Sequence, residues 1–147
     1  MLTATNLAPF HLAIPVDDIE AAQHFYGDIM GLARGRSDTR WTDWNFFGHQ
    51  LVTHEVSGRA GVADPVAGTN PVDGHEVPVP HFGIVLSVLQ FRELAARLDA
   101  MHVDFVVRPY LRFEGEPGEQ WTMFFLDPPG NALEFKAFAD IGQLFAT

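Results

Sequence analysis

His11 interrupts an apolar, strand-like run, "FHLAIPV", where a valine would pack as well. Alone it would read as a hydrogen-bonded core histidine. His81 opens a second run of the same kind, "HFGIVLS", and Glu134 sits in a third, "NALEFKAF". Two imidazole nitrogens and a carboxylate oxygen form a ligand set that suits Fe(II), Mn(II), Zn(II) or Ni(II). Three protein ligands also leave coordination positions open for a substrate or O₂. Whether residues so far apart in the chain can act together depends on the elements that carry them.

Those elements come twice. Residues 9–16 alternate with β-rich chemistry and read as a strand. "DDIEAAQHFYGDIMG" follows, with Asp17 or Asp18 as N-cap, apolar residues at Ile19, Ala22, Phe25, Tyr26 and Ile29, and Gly31 as stop, which predicts a helix. "LARGRSD", "WTDWNFFG" and "HQLVTHEVS" then read as three strands. Residues 58–79 hold four Gly and three Pro with little periodicity and read as a linker or cover loop. After them the order returns: strand "PHFGIVLS", a helix with Leu89, Leu94 and Leu98 on or near one face, and the strands "VDFVVRPY", "EQWTMFFLD" and "NALEFKAF". The organisation is α+β, two βαβββ modules (1–57 and 80–147) in one domain. His11 and His81 lie 70 residues apart, while Gly48 and Gly130 lie 82 apart. Val52 therefore corresponds to Glu134, and twelve extra residues fall around "RPYLRFEGEPGE".

A four-stranded sheet under one helix keeps one bare face, and two bare faces can form a cleft. Alternation sends Phe10, Leu12, Ile14 and Val16 under the first helix, and Phe82, Ile84 and Leu86 under the second, with Leu133 and Phe135. His11, His81, Glu134 and Lys136 face the cleft. Trp44, Phe46, Phe113, Trp121 and Phe124 are expected as aromatic wall for a small, ring-bearing substrate, with Arg112 and Lys136 as its cations.

Composition limits the partners. The net charge of −10 argues against nucleic acid or an anionic membrane. The absence of cysteine excludes disulfides, thiolate metal sites and a Cys nucleophile. With no leader-like or membrane-length apolar run, a soluble, cytoplasmic protein is expected. No phosphate-loop or dinucleotide motif is present, and the remaining histidines, His24, His49, His75 and His102, read as structural.

The doubled βαβββ order, a histidine opening each module, and the closing "LDPPGNALEF" resemble the vicinal oxygen chelate superfamily. It includes glyoxalase I, type I extradiol dioxygenases, fosfomycin-modifying thiol transferases and bleomycin-binding proteins. The resemblance implies that His11, His81 and Glu134 hold a divalent metal, Fe(II) foremost. It implies ring-cleaving oxidation of a small aromatic or vicinal-oxygen substrate, and a homodimer, as is common in the superfamily. Val52 stands where glyoxalase I typically has a fourth ligand, which disfavours lactoylglutathione chemistry. The extradiol signature has a tyrosine where Phe124 stands and an acid–base histidine near residues 115–117, where "GEP" offers none. His54 or Tyr110 would then have to move the proton. A glyoxalase-like lyase or a thiol transferase, drawing on Arg108, Arg112 and Lys136, is the nearest alternative. A non-catalytic small-molecule binding or resistance protein is the other.

Overall fold

The computed structural model describes residues 7–57 and 68–147. The chain divides after Arg59 into two compact units, each with its own four-stranded sheet. None of the described helices is long and apolar enough to cross a membrane.

In the N-terminal unit, β1 (His11–Val16), β2 (Ala33–Asp38), β3 (Trp41–Phe46) and β4 (His49–Glu55) pair in the order β1-β4-β3-β2. β1 runs parallel to β4, with His11 opposite Gln50 and Ala13 opposite Val52. Helix α1 (Ile19–Gln23) starts where Asp18 accepts hydrogen bonds from the amides of Glu20 and Ala21. The chain continues as a π-helical stretch, His24–Ile29, and Gly31 turns out of it at φ 77°. Ile14, Val16, Leu51, Trp44 and Phe46 are buried with Ala22, Phe25 and Tyr26.

In the C-terminal unit the same order returns. β7 (Val85–Leu86), β8 (Phe105–Arg112), β9 (Gln120–Leu126) and β10 (Ala132–Phe138) pair as β7-β10-β9-β8, with β7 parallel to β10. Helix α2 (Val88–Ala100) opens on a capping box of Ser87 and Gln90. Phe91, Leu94 and Leu98 are its buried residues. Leu89 is 67% exposed, not part of this face: two residues before Phe91 it points roughly 200° away. Phe10 also departs from expectation, lying just before β1 and 65% exposed.

Of the segment expected as linker or cover loop, residues 58–67 lie outside the described residues, and residues 68–79 are not featureless. β5 (Thr69–Val72) and β6 (His75–Pro78) form an antiparallel hairpin around Asp73 and Gly74, both at positive φ (49° and 78°). Such a two-residue turn matches the twist of the flanking strands. Val77 packs in a buried cluster with Val107 and Phe124, and Val72 and Tyr110 lie against it. The hairpin thus covers the sheet face that α2 leaves open.

Candidate functional site

β10 supplies the first donor. Leu133 and Phe135 point to the helix side, so Glu134 and Lys136 emerge on the open face. The strand is aimed by the turn before it. Asp127 Oδ1 accepts from the amides of Gly130 and Asn131 (3.1 and 2.6 Å), and Asn131 Nδ2 donates to Asp127 Oδ2 (2.8 Å). Both side chains are buried, so "DPPGN" is a hydrogen-bonded corner that sets the register of Glu134.

His81 reaches Glu134 from the neighbouring segment. Phe82 bridges Leu133, and the Glu134 amide donates to Phe82 O at 2.8 Å. The approach requires Gly83, since a Cβ there would stand 1.6 Å from the Glu134 carbonyl oxygen. His81 Nε2 lies 2.9 Å from Glu134 Oε2. Its Nδ1 lies 2.7 Å from Pro78 O, which only accepts, so Nδ1 carries a proton. The hydrogen bond to Glu134 raises the His81 imidazole above its ordinary value, against the opposing effect of burial. Burial pushes the Glu134 carboxyl up, but His81, the Lys136 ammonium and Thr122 together outweigh it and leave it below its ordinary value. Thr122 Oγ1 donates to Glu134 Oε1 at 2.8 Å, and Lys136 Nζ stands 3.7 Å from the same oxygen.

These groups line a cavity of about 150 Å³, with Tyr110, Arg112, Phe124 and Val107 on the sheet and Val72, His75 and Val77 on the hairpin. Phe124 meets His81 edge-on, centroids 5.1 Å apart. Asp73, at the hairpin turn, takes both Nε and Nη2 of Arg112 and the Tyr110 hydroxyl, which donates at 3.0 Å. Arg112 first and Tyr110 second hold the Asp73 carboxyl below its usual range. Tyr110 is pushed up, first by burial and then by Asp73.

The sequence-expected residues are therefore divided. His81, Glu134, Lys136, Arg112, Tyr110 and Phe124 share one cavity. His11 lies in the N-terminal unit, where its Nδ1 is 2.9 Å from Gln50 Oε1. His54 lies in the same unit, opposite Pro15 and Trp41, exposed. Among the described residues no three His, Asp or Glu side chains gather into one metal-holding group.

Four of the five expected wall residues lie outside this cavity. Trp44 is 2% exposed and donates through Nε1 to Thr53 Oγ1, beside Tyr26. Phe46 is buried on the same face of β3. Trp121 packs on Phe91 of α2, because alternation along β9 puts it opposite to Thr122 and Phe124. Phe113 lies outside the cavity under the Arg112 guanidinium, and Arg108 pairs with Asp99. Asp73, His75 and Thr122 were not anticipated as site residues. The "DG" pair flanked by Val72 and His75 is a hairpin signal, masked by Pro71 and Pro78 on either side.

The family model for the Glyoxalase/Bleomycin resistance protein/Dioxygenase superfamily matches residues 8–135. A glyoxalase/bleomycin resistance protein/dioxygenase from Alicyclobacillus acidocaldarius is 32% identical, with 94% of this chain and 96% of that one covered at a TM-score of 0.73. A lactoylglutathione lyase from Agrobacterium tumefaciens shares the fold at 17% identity (98% and 100% covered, TM-score 0.63). So does a fosfomycin resistance protein from Listeria monocytogenes at 15% identity (96% and 98% covered, TM-score 0.63). No curated protein matches the chain.

Proposed function

Because the chain belongs to the glyoxalase/bleomycin resistance/dioxygenase superfamily, we propose that it is a divalent-metal enzyme acting on a small substrate with two neighbouring oxygens. The observation that supports this most is the matched presentation of two imidazoles. His11 and His81 each direct Nδ1 at an oxygen, Gln50 Oε1 and Pro78 O, and so offer Nε2. That is how a histidine is prepared as a metal ligand.

Two of the donors for an ion stand together among the described residues. Nitrogen and carboxylate donors already converge at 2.9 Å in the His81–Glu134 pair, and Thr122 and Pro78 hold their outer atoms. In this reading His11, His81 and Glu134 hold Fe(II) foremost, the same donors suiting Mn(II), Zn(II) or Ni(II). The bound ion would polarise the substrate's paired oxygens and, as iron, give access to O₂ chemistry. Lys136 then offsets negative charge on a substrate oxygen. Tyr110, a phenol and so protonated at neutral pH, can give a proton to the reacting molecule. His54 is the second candidate for proton transfer. Phe124, Val107 and Val77 keep water off the ring face of the substrate.

The finer reading is extradiol cleavage of a catechol-like ring. Lyase or thiol-transfer chemistry is favoured instead by the two cations of the cavity, Arg112 and Lys136, and by Phe124 in the place of a tyrosine. A homodimer in the cytoplasm accompanies either reading.

Anaerobic reconstitution with Fe(II) should load about one ion per chain, as expected of a single three-ligand site. His81→Ala and Glu134→Ala should lose it, and full metal content in Glu134→Ala would sink the ligand assignment. O₂ uptake with a panel of catechols then separates ring cleavage from transfer, which responds to a thiol plus an electrophile. Ligand binding that survives chelation with no turnover of either kind would mark a binding protein.

A further inference from the structure

The pair Asp73–Arg112 joins a loosely held element to a firmly held one. Arg112 is on β8, paired to Gln120 of β9, with its side chain only 16% exposed. Asp73 is 38% exposed, at the tip of a hairpin whose strands are four residues each. Hairpins of that length are marginal without outside support. The support here is the valine packing of Val72 and Val77 and the grip of Arg112 and Tyr110 on one carboxylate.

Three donors converge on that carboxylate: Arg112 Nε and the Tyr110 hydroxyl at Oδ2, and Arg112 Nη2 at Oδ1. The two-point guanidinium contact is specific for a planar, two-oxygen anion. Arg112 and Tyr110 also line the cavity beside Glu134 and Lys136. With Asp73 withdrawn, the wall would hold two cations, Arg112 and Lys136, against the single carboxylate of Glu134. One incoming carboxylate restores the balance. The exchange replaces like with like at Arg112, so its free-energy cost is chiefly that of moving the hairpin.

We propose that Arg112 and Tyr110 form the anchor for a carboxylate on the ligand, and that Asp73 occupies this anchor until the ligand displaces it. The proposal rests on the cavity being the ligand site, and it gives the substrate class: a small molecule with a carboxylate a few ångströms from the group presented to His81 and Glu134. The hairpin is then a lid whose latch is a substrate mimic.

Benzoate is a suitable probe, since a cavity of about 150 Å³ is of the size that holds one benzene ring. Benzamide is its neutral counterpart. Binding of each to the full chain is followed by amide chemical shifts. Asp73→Asn keeps the turn, because asparagine tolerates the left-handed conformation found at φ 49°, but removes the competing charge. Benzoate should then bind about tenfold tighter, the order of one charge-assisted contact, and benzamide should not change. Asp73→Gly, which removes the side chain and also suits the turn, should behave alike. Arg112→Lys in the Asp73→Asn background should lose the gain while keeping the charge.

Equal benzoate affinity in the native and Asp73→Asn chains would overturn the proposal. So would an equal gain for benzamide, which would make the hairpin a steric cover only, or a gain that persists in the Arg112→Lys double variant. The metal content of Glu134→Ala reports separately on the enzyme reading and does not enter these outcomes.

Discussion

Gly83 has no room for a methyl group. A Cβ there would sit 1.6 Å from Glu134 O and 2.6 Å from its carbonyl carbon. Neither is the movable end of a side chain, so Gly83→Ala must push β10 and the segment after His81 apart. We expect a loss of about 3 kcal/mol, at the upper end of overpacking costs, read from urea denaturation, with metal binding weakened in the fraction that folds. Wild-type metal affinity in that variant would show that His81 and Glu134 do not depend on this contact. Asp73 gives a second prediction at this scale. Its carboxyl is held below the ordinary range, so its grip on Arg112 is complete above that range and is lost as pH falls through the lowered value. The Arg112 Nε–H signal should therefore stay constant from neutral pH to about pH 5, above the ordinary carboxylate value, and shift only in stronger acid. A transition near neutrality would assign the latch to another group.

Among the elements, the corner before β10 sets the position of Glu134. Asn131 is fully buried and its side chain donates to Asp127 Oδ2. Asn131→Ala leaves that buried carboxylate short of a donor, at a cost of about 2 kcal/mol. A shift of the urea midpoint at constant slope checks it. "DPPGN" was conspicuous in the sequence, and the structure gives it a physical role. Alternation also put Glu134 and Lys136 on the open face correctly, because β10 is regular from Ala132 to Phe138. The same rule, applied consistently, would have removed Trp121: it is one residue from Thr122 and three from Phe124, hence on the other face. Trp44 misled for a different reason. Its Nε1–H finds Thr53 in the interior, and the sequence shows no sign of such a partner. The hairpin was the largest omission. Asp73 and Arg112 are 39 residues apart, and neither local pattern points to the other.

At the scale of the molecule, the repeat is seen in the registers as well as the strand order. Ala13 pairs with Val52, and Gly83 lies beside Glu134, between the Phe82–Leu133 and Val85–Lys136 pairs. These are the offsets of 70 and 82 read from His11 and Gly48. The repeat was legible because each module carries its own turn and cap signals; of what one module adds, the long β8–β9 connection showed as the difference between the two offsets, and the hairpin did not show. The net charge of −10 acts on the two proposed ligands, metal and carboxylate, in opposite senses. An acidic molecule attracts a divalent cation and repels a carboxylate, and salt screens both. Raising ionic strength from about 10 mM to about 150 mM, which shortens the screening length severalfold, should slow Mn(II) association and speed benzoate association in stopped-flow measurements. Parallel changes would mean that a local potential, rather than the whole charge, governs entry.

Pro78 ends β6, and its carbonyl holds the His81 ring. The other end of the same four-residue strand adjoins the turn that grips Arg112. One short rod thus has a hand on both halves of the cavity, and reciprocity follows from thermodynamics alone. If seating a carboxylate at Arg112 disturbs the rod, the affinity of the metal must change, and the metal must change the affinity for the carboxylate by the same factor. Titrating Zn(II) with and without benzoate, and benzoate with and without Zn(II), should return one number, about fivefold or more. A ratio of one in both titrations would leave the two ends of β6 mechanically independent.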